Sequence, residues 1–237
     1  MYTFENFVVQ DHNRMAFNLA TLIAENCDGK YSPLFLYSKP GLGKTHLLKS
    51  IEAKVKAEKD ISVLYCTAEK FCNEYIEVLH DKNTISNFNE IYGTPQIFLI
   101  DNFEFLLDKP GFQQRFFTEF NDLHLQNKNI VIASGEPINA FDSMEERYRS
   151  RLRMGMILEI IPPSKAEIYH YCRARMEEYE IILNEEDMKY VCENLSPRNY
   201  YVCKGFLNKL KAIKEYQENI TMDYEIRSII PERITKI

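Results

Sequence analysis

Nowhere in this 237-residue chain do apolar residues run for the roughly 20 positions that a bilayer crossing takes. Met1 leads into mixed sequence instead of a signal peptide, so a soluble protein that stays in the cytoplasm is expected. Positive charge is short as well: 29 Lys+Arg against 35 Asp+Glu leave a net charge of −6. Unspecific affinity for polyanions comes from Lys and Arg neutralising phosphates, so only a local basic patch would serve nucleic acid. The six cysteines (Cys27, Cys66, Cys72, Cys172, Cys192 and Cys203) form no C-x-x-C pair or regular framework, which favours reduced, structural thiols. His12, His46, His80, His124 and His170 stand singly, without the spacing that zinc ligation needs. Internal repeats and low-complexity segments are missing too. What is there is ordinary globular material, 45% apolar and 27% charged, long enough for one large or two small domains.

Five short apolar runs recur, at Leu34–Tyr37, Ser62–Thr67, Ile97–Ile100, Ile130–Ser134 and Met156–Ile160. Few of them alternate cleanly, which indicates strands buried on both faces, as in a parallel sheet. Thr45–Ala57, Ala68–His80 and Phe112–Gln126 lie between them and are long enough for crossover helices. Strand and helix in this alternation predict an α/β three-layer fold. The character changes at Pro162-Pro163, after which three helical patterns follow, Lys165–Tyr179, Glu185–Leu195 and Tyr200–Tyr216. Ser164 with Glu167 reads as a capping box opening the first, and Pro197 marks the break before the third. The expected division is therefore an α/β subdomain over 1–162 and a smaller helical subdomain over 163–237.

The first strand runs into Ser38-Lys39-Pro40-Gly41-Leu42-Gly43-Lys44-Thr45, the Walker A order of strand, loop and helix. Glycines at 41 and 43 let backbone N–H groups turn inward around phosphate oxygens. Lys44 supplies a cation for the β- and γ-phosphates, and Thr45 a hydroxyl for Mg²⁺ at the positive end of a helix. Ser38 stands where the first glycine of the pattern usually lies. A second motif, Ile97-Phe98-Leu99-Ile100-Asp101-Asn102, ends a buried strand on a carboxylate, which is costly without a partner. Mg²⁺ held by Asp101 is one such partner, and a cap on the following turn is the other. Asn102 occupies the place where these ATPases commonly carry a second acid, and an amide accepts no proton at neutral pH. Nucleotide binding is thus better supported than hydrolysis.

Thr3-Phe4-Glu5-Asn6-Phe7-Val8-Val9, Asn13, Tyr31-Ser32-Pro33-Leu34-Phe35 and Gly41-Leu42-Gly43-Lys44-Thr45-His46-Leu47-Leu48 together resemble the AAA+ domain of the bacterial replication initiator DnaA. Ala68-Glu69-Lys70-Phe71, Leu99-Ile100-Asp101, Phe116-Phe117-Thr118-Glu119-Phe120-Asn121 and Arg149-Ser150-Arg151 continue the resemblance in family order. It implies a P-loop AAA+ fold with a five-stranded parallel sheet and a small all-helical lid. It also implies ATP or ADP with Mg²⁺, bound by Val8, Val9, Asn13, Pro40, Gly41, Leu42, Gly43, Lys44, Thr45 and His46, the metal falling to Thr45 and Asp101. Asp101 and Arg151 are the implied catalytic residues, Arg151 as an arginine finger toward a neighbouring subunit's ATP. Arg147, Arg149 and Arg153 crowd the same segment, so a general basic patch stays open there.

The departures bear on function. Gly135 follows Ile132-Ala133-Ser134 where the family usually has an acid, and Tyr201 takes the place of the sensor arginine, with Arg198 nearby. With Asn102, three positions tied to sensing or cleaving the γ-phosphate are altered. The family's helix-turn-helix would follow the helical subdomain, and the chain's end at Ile237 leads us not to expect sequence-specific duplex DNA binding. The counterpart of the family's single-strand-binding helical pair, Phe71–Tyr92, has Lys82, with Lys70 just before it, against Glu74, Glu77, Asp81 and Glu90. Phe71, Tyr75 and Phe88 there offer stacking platforms or core, and support for single-stranded DNA is weak. Three readings stay open: a stand-alone, Hda-like regulator docking on DnaA or another AAA+ replication protein, or on itself; an initiator or helicase-loader ATPase acting on DNA with a partner; and a nucleotide-binding scaffold without turnover.

Overall fold

The computed structural model describes residues 2–81, 85–195 and 198–216. Lys82, Pro197 and the last 21 positions of the expected helical subdomain, 217–237, lie outside the described residues. Two compact units emerge: Met1–Lys39 with Gly43–Ile160, and Pro40–Leu42 with Ile161–Ile237.

In the first unit, α1 (Arg14–Asn26) precedes β1 (Leu34–Tyr37), α2 (Lys44–Glu58), β2 (Val63–Thr67), α3 (Ala68–His80) and α4 (Ile85–Gly93). Then come β3 (Ile97–Asp101), α5 (Pro110–Leu125), β4 (Asn129–Ser134), α6 (Glu146–Arg153) and β5 (Met156–Glu159). The five strands pair in parallel in the order β2-β3-β4-β1-β5. Every residue of β3 and β4 is buried, whereas β5 alternates half-buried with exposed, as an edge strand does. The apolar runs of the sequence thus mark the sheet's centre most faithfully.

The registers Thr67↔Asp101 and Tyr37↔Ser134 bring the ends of four adjacent strands to one rim. Beneath it lies an aromatic cluster in which Phe116 meets Phe71, Phe98, Phe103, Phe117 and Phe120 at centroid distances of 5.0–6.2 Å, edge-on or tilted. Such ring geometries add to area burial, and removing one buried ring costs about 3–5 kcal/mol. Phe71 and Phe88 belong to this core, and Tyr75 packs on it half-buried. Phe71 and Phe88 are therefore core, and Tyr75 keeps part of its ring outside it. All six cysteines are free thiols and buried.

The second unit holds α7 (Lys165–Glu178), α8 (Glu185–Asn194) and α9 (Tyr200–Tyr216) around Ile168, Met176, Val191, Cys203, Phe206 and Leu210. The capping box is formed: Ser164 Oγ accepts from the Glu167 amide at 3.2 Å, and Glu167 Oε2 from the Ser164 amide at 2.7 Å. Among the described residues no helix is long and apolar enough to cross a membrane.

Candidate functional site

The loop after β1 turns through two glycines in the left-handed region, Gly41 at φ +82° and Gly43 at φ +99°, where an L side chain is strained. A Cβ on Gly43 would also come within 2.8 Å of the Phe7 ring. Ser38 has no positive φ, so its side chain costs the loop nothing. Its hydroxyl instead joins the lysine. Lys44 Nζ donates to Ser38 O at 2.6 Å and Ser38 Oγ at 2.9 Å, with a weaker contact to Lys39 O at 3.4 Å. Desolvation lowers the Lys44 pKa, opposed by the carboxylates of Glu104 and Asp101 and assisted by Lys39.

Across from the loop, Asp101 is buried at the end of β3. Thr45 Oγ1 donates to Asp101 Oδ2 at 2.6 Å, and Tyr65 Oη donates to the same oxygen at 3.1 Å. Asp101 Oδ1 accepts from the Asn102 amide at 2.9 Å, so the carboxylate also caps the next turn. Asn102 is exposed and itself left-handed, at φ 55°, which Asn tolerates better than most residues. These groups are hard oxygen donors, and Thr45 Oγ1 with one carboxylate suits Mg²⁺, which takes its remaining ligands from water and substrate phosphates. Among the described residues no group of three or more His, Cys, Asp or Glu is gathered to hold a metal by itself.

The remaining expected contacts divide. Asn13 is buried, its Nδ2 donating to Val8 O at 2.9 Å and its Oδ1 accepting from the Gln10 amide at 2.8 Å. It therefore shapes the turn that carries the half-buried Val8 and Val9. His46 turns its ring away to the N-terminal segment, with Nε2 2.9 Å from Thr3 O and the Phe7 ring edge-on at 5.0 Å. Its backbone amide stays in the first turn of α2, where N–H groups lack intrahelical partners. Within the second unit, Asn199 Nδ2 donates to Pro40 O at 3.4 Å, a Cβ on Gly41 would come within 2.9 Å of Asn199 Cγ, and Leu42 is buried. Tyr201 is 79% exposed and brings no charge to its position.

On α6 the four arginines are not alike. Arg147 pairs with Glu145, Arg149 with Asp142 and Glu146, and Arg153 with Glu146. Arg151, half-buried, makes no ion pair or side-chain hydrogen bond among the described residues. The segment is thus less a basic patch than a braced helix with one unspent guanidinium.

Two residues of this rim went unread in the sequence. Tyr65 reaches Asp101 because β2 lies beside β3, so Tyr65 and Asp101 share a sheet face on neighbouring strands. Glu104, in the short 3₁₀ turn Phe103–Leu106, places Oε2 2.7 Å from the Gly135 amide just past β4. Only the strand order, not sequence spacing, signals either contact.

The model of the bacterial DnaA ATPase domain matches residues 1–159. The chain belongs to that family. It is 36% identical over 225 residues to the chromosomal replication initiator protein DnaA of Nautilia profundicola, covering 94% of this chain and 51% of the relative. The chain thus spans about half the length of the curated relatives it matches. Domain III of the Thermotoga maritima replication initiation protein DnaA superposes with a TM-score of 0.84 at 34% identity, 98% of each chain being covered. A DnaA bound to AMPPCP and single-stranded DNA superposes with a TM-score of 0.81 at 31% identity, over 92% of this chain and 69% of that one. The five-stranded parallel sheet with its helices is accordingly a DnaA-type AAA+ fold.

Proposed function

We propose that this DnaA-family chain binds ATP or ADP with Mg²⁺ and acts in the initiation of chromosomal replication, or its regulation, through AAA+–AAA+ contacts, with at most weak hydrolysis of its own. The observation that carries the reading is the convergence of Lys44 Nζ with the Thr45–Asp101 pair beside a loop of two left-handed glycines. Lys44, the loop amides and Leu42–His46 would hold the phosphates, Val8, Val9 and Asn13 would border the base, and Thr45 with Asp101 would hold the metal. Mg²⁺ there supplies charge neutralisation for the phosphate tail. Ser38 keeps the ammonium aimed at the loop, and Tyr65 holds Asp101 Oδ2 from the far side. Weak turnover follows from Asn102, whose amide takes no proton, and from the neutral Tyr201.

The unpaired Arg151 supports a role in trans, because a planar guanidinium not engaged in its own chain is ready to grip another subunit's phosphates. The partner is then DnaA or another AAA+ replication protein, or a second copy of this chain, in the cytoplasm. Calorimetric titration with ATP and ADP, with and without Mg²⁺, tests the site. Co-precipitation from the native extract with either nucleotide tests the partner. Failure to bind either nucleotide refutes the reading.

A second reading, action on single-stranded DNA, is favoured by the neighbour bound to that ligand. Against it, the rings of α3 and α4 face the core, and Lys70 leans on Glu74 at 3.5 Å.

A further inference from the structure

Glu104 is the charged group of the rim that the proposed site leaves without a task. Its 3₁₀ turn follows β3 directly, and its Oε2 spans to the Gly135 amide past β4, so the carboxylate sits on the rim that also carries Lys44 and Asp101. Oε1 has no hydrogen-bond partner among the described residues. A Cβ built on Gly135 would meet that same oxygen at 2.8 Å and Glu104 Cδ at 3.2 Å. The Glu104 carboxylate therefore occupies the space into which any side chain at 135 would project. The missing side chain at 135 and the carboxylate from 104 are two halves of one exchange. Asn102 is silent as a proton acceptor, and the site's other carboxylate, Asp101, has both oxygens engaged by Thr45, Tyr65 and its own turn. Of these carboxylates only Glu104 keeps an oxygen open.

We infer that Glu104, seated in the gap left by Gly135, is the proton acceptor for whatever nucleoside triphosphate turnover this chain has; the inference rests on the nucleotide-site reading above. Glu104 Oε1 takes a proton from a water molecule whose oxygen forms a bond to the γ-phosphorus. The bond from that phosphorus to the β–γ bridging oxygen breaks, its electron pair leaving with the nucleoside diphosphate. The proton then passes from Glu104 to solvent, and inorganic phosphate departs. A carboxylate so placed also repels a γ-phosphate, and this gives a signature independent of turnover.

The test uses Glu104→Gln and Gly135→Ala. The glutamine amide oxygen still accepts from the Gly135 amide but takes no proton, so a purely structural Glu104 would survive the change. Alanine at 135 displaces the end of a flexible side chain, not backbone, and leaves the Glu104 carboxyl group chemically intact. Expected for Glu104→Gln are a loss of roughly 10²-fold in steady-state ATP turnover and roughly three- to tenfold tighter ATP binding with unchanged ADP binding. Gly135→Ala is expected to lower turnover in the same direction, with melting temperatures near the parent's in both variants. Turnover within twofold of the parent in Glu104→Gln, or ATP and ADP affinities moving together, overturns the inference. ATP binding without any turnover in the unmodified protein overturns it alone. Absence of ATP binding in the unmodified protein overturns it together with the nucleotide-site reading.

Discussion

Replacing Lys44 by alanine separates ligand recognition from folding. Of the three ammonium hydrogens, two are held firmly by Ser38, and the third meets Lys39 O at 3.4 Å, near the limit of a useful bond. That loosely held hydrogen is the one a phosphate would claim first, with a second exchangeable at the cost of a Ser38 contact. Hydrogen bonds to charged groups contribute about 1.5–3 kcal/mol each. One to two of them lost gives about 1.5–6 kcal/mol, or on the order of 10- to 10⁴-fold in the ATP dissociation constant. The fold should survive with a partial loss of stability. Two Ser38 contacts go, and the loss is offset only in part, because a cation at the start of α2 opposes the helix dipole, alanine is the better helix former, and the desolvated ammonium is itself costly to bury. Isothermal calorimetry with ATP and a thermal melt read the two effects separately. An ATP affinity within threefold of the parent in the folded variant would refute the assignment of this loop.

Asn102→Asp should raise ATP turnover severalfold, since aspartate tolerates the left-handed backbone at this exposed position; an unchanged phosphate-release rate would show that the amide is not what limits hydrolysis. Arg151→Ala should leave the protein's own ATP affinity within about twofold while weakening its effect on the turnover of an added DnaA-type partner; collapse of own-site binding would sink the role in trans. Lys44 also sets a pH dependence. Desolvation holds its folded pKa below the ordinary lysine value, so between the two the unfolded chain binds more protons and stability rises with pH. A bound polyphosphate restores the charged form, so in the alkaline range below the ordinary lysine pKa ATP binding should take up protons in calorimetry across buffers of different ionisation enthalpy, and Lys44→Ala should abolish the uptake.

The parts of this protein legible in the sequence are those whose cause is local. The glycine loop, Lys44 and Thr45 are contiguous, the capping box spans four residues, and β3 and β4 announce themselves as unbroken apolar runs because both faces are buried. The α1 helix is local in the same way, its buried Ala16, Leu19, Ala20, Ile23 and Ala24 falling at helical spacing on one face. Tyr65 and Glu104 act across the sheet, on partners 36 and 31 residues away, and their meaning depends on which strands are neighbours. Ser38 read as a defect in a motif, because a pattern of glycines does not say what a hydroxyl would do there. The pairing of Arg147, Arg149 and Arg153, which leaves Arg151 apart, needed the acids of the preceding turn in place.

The ring of Phe7 lies over Gly43, stacked on Phe17 at 5.6 Å and edge-on to His46, whose imidazole is moored to Thr3. The opening residues are therefore a clasp on the hinge of the glycine turn. A tag fused close to Thr3, or a protease nick before Phe7, would slacken that clasp and be felt as altered nucleotide affinity, though no residue meeting the nucleotide had been touched.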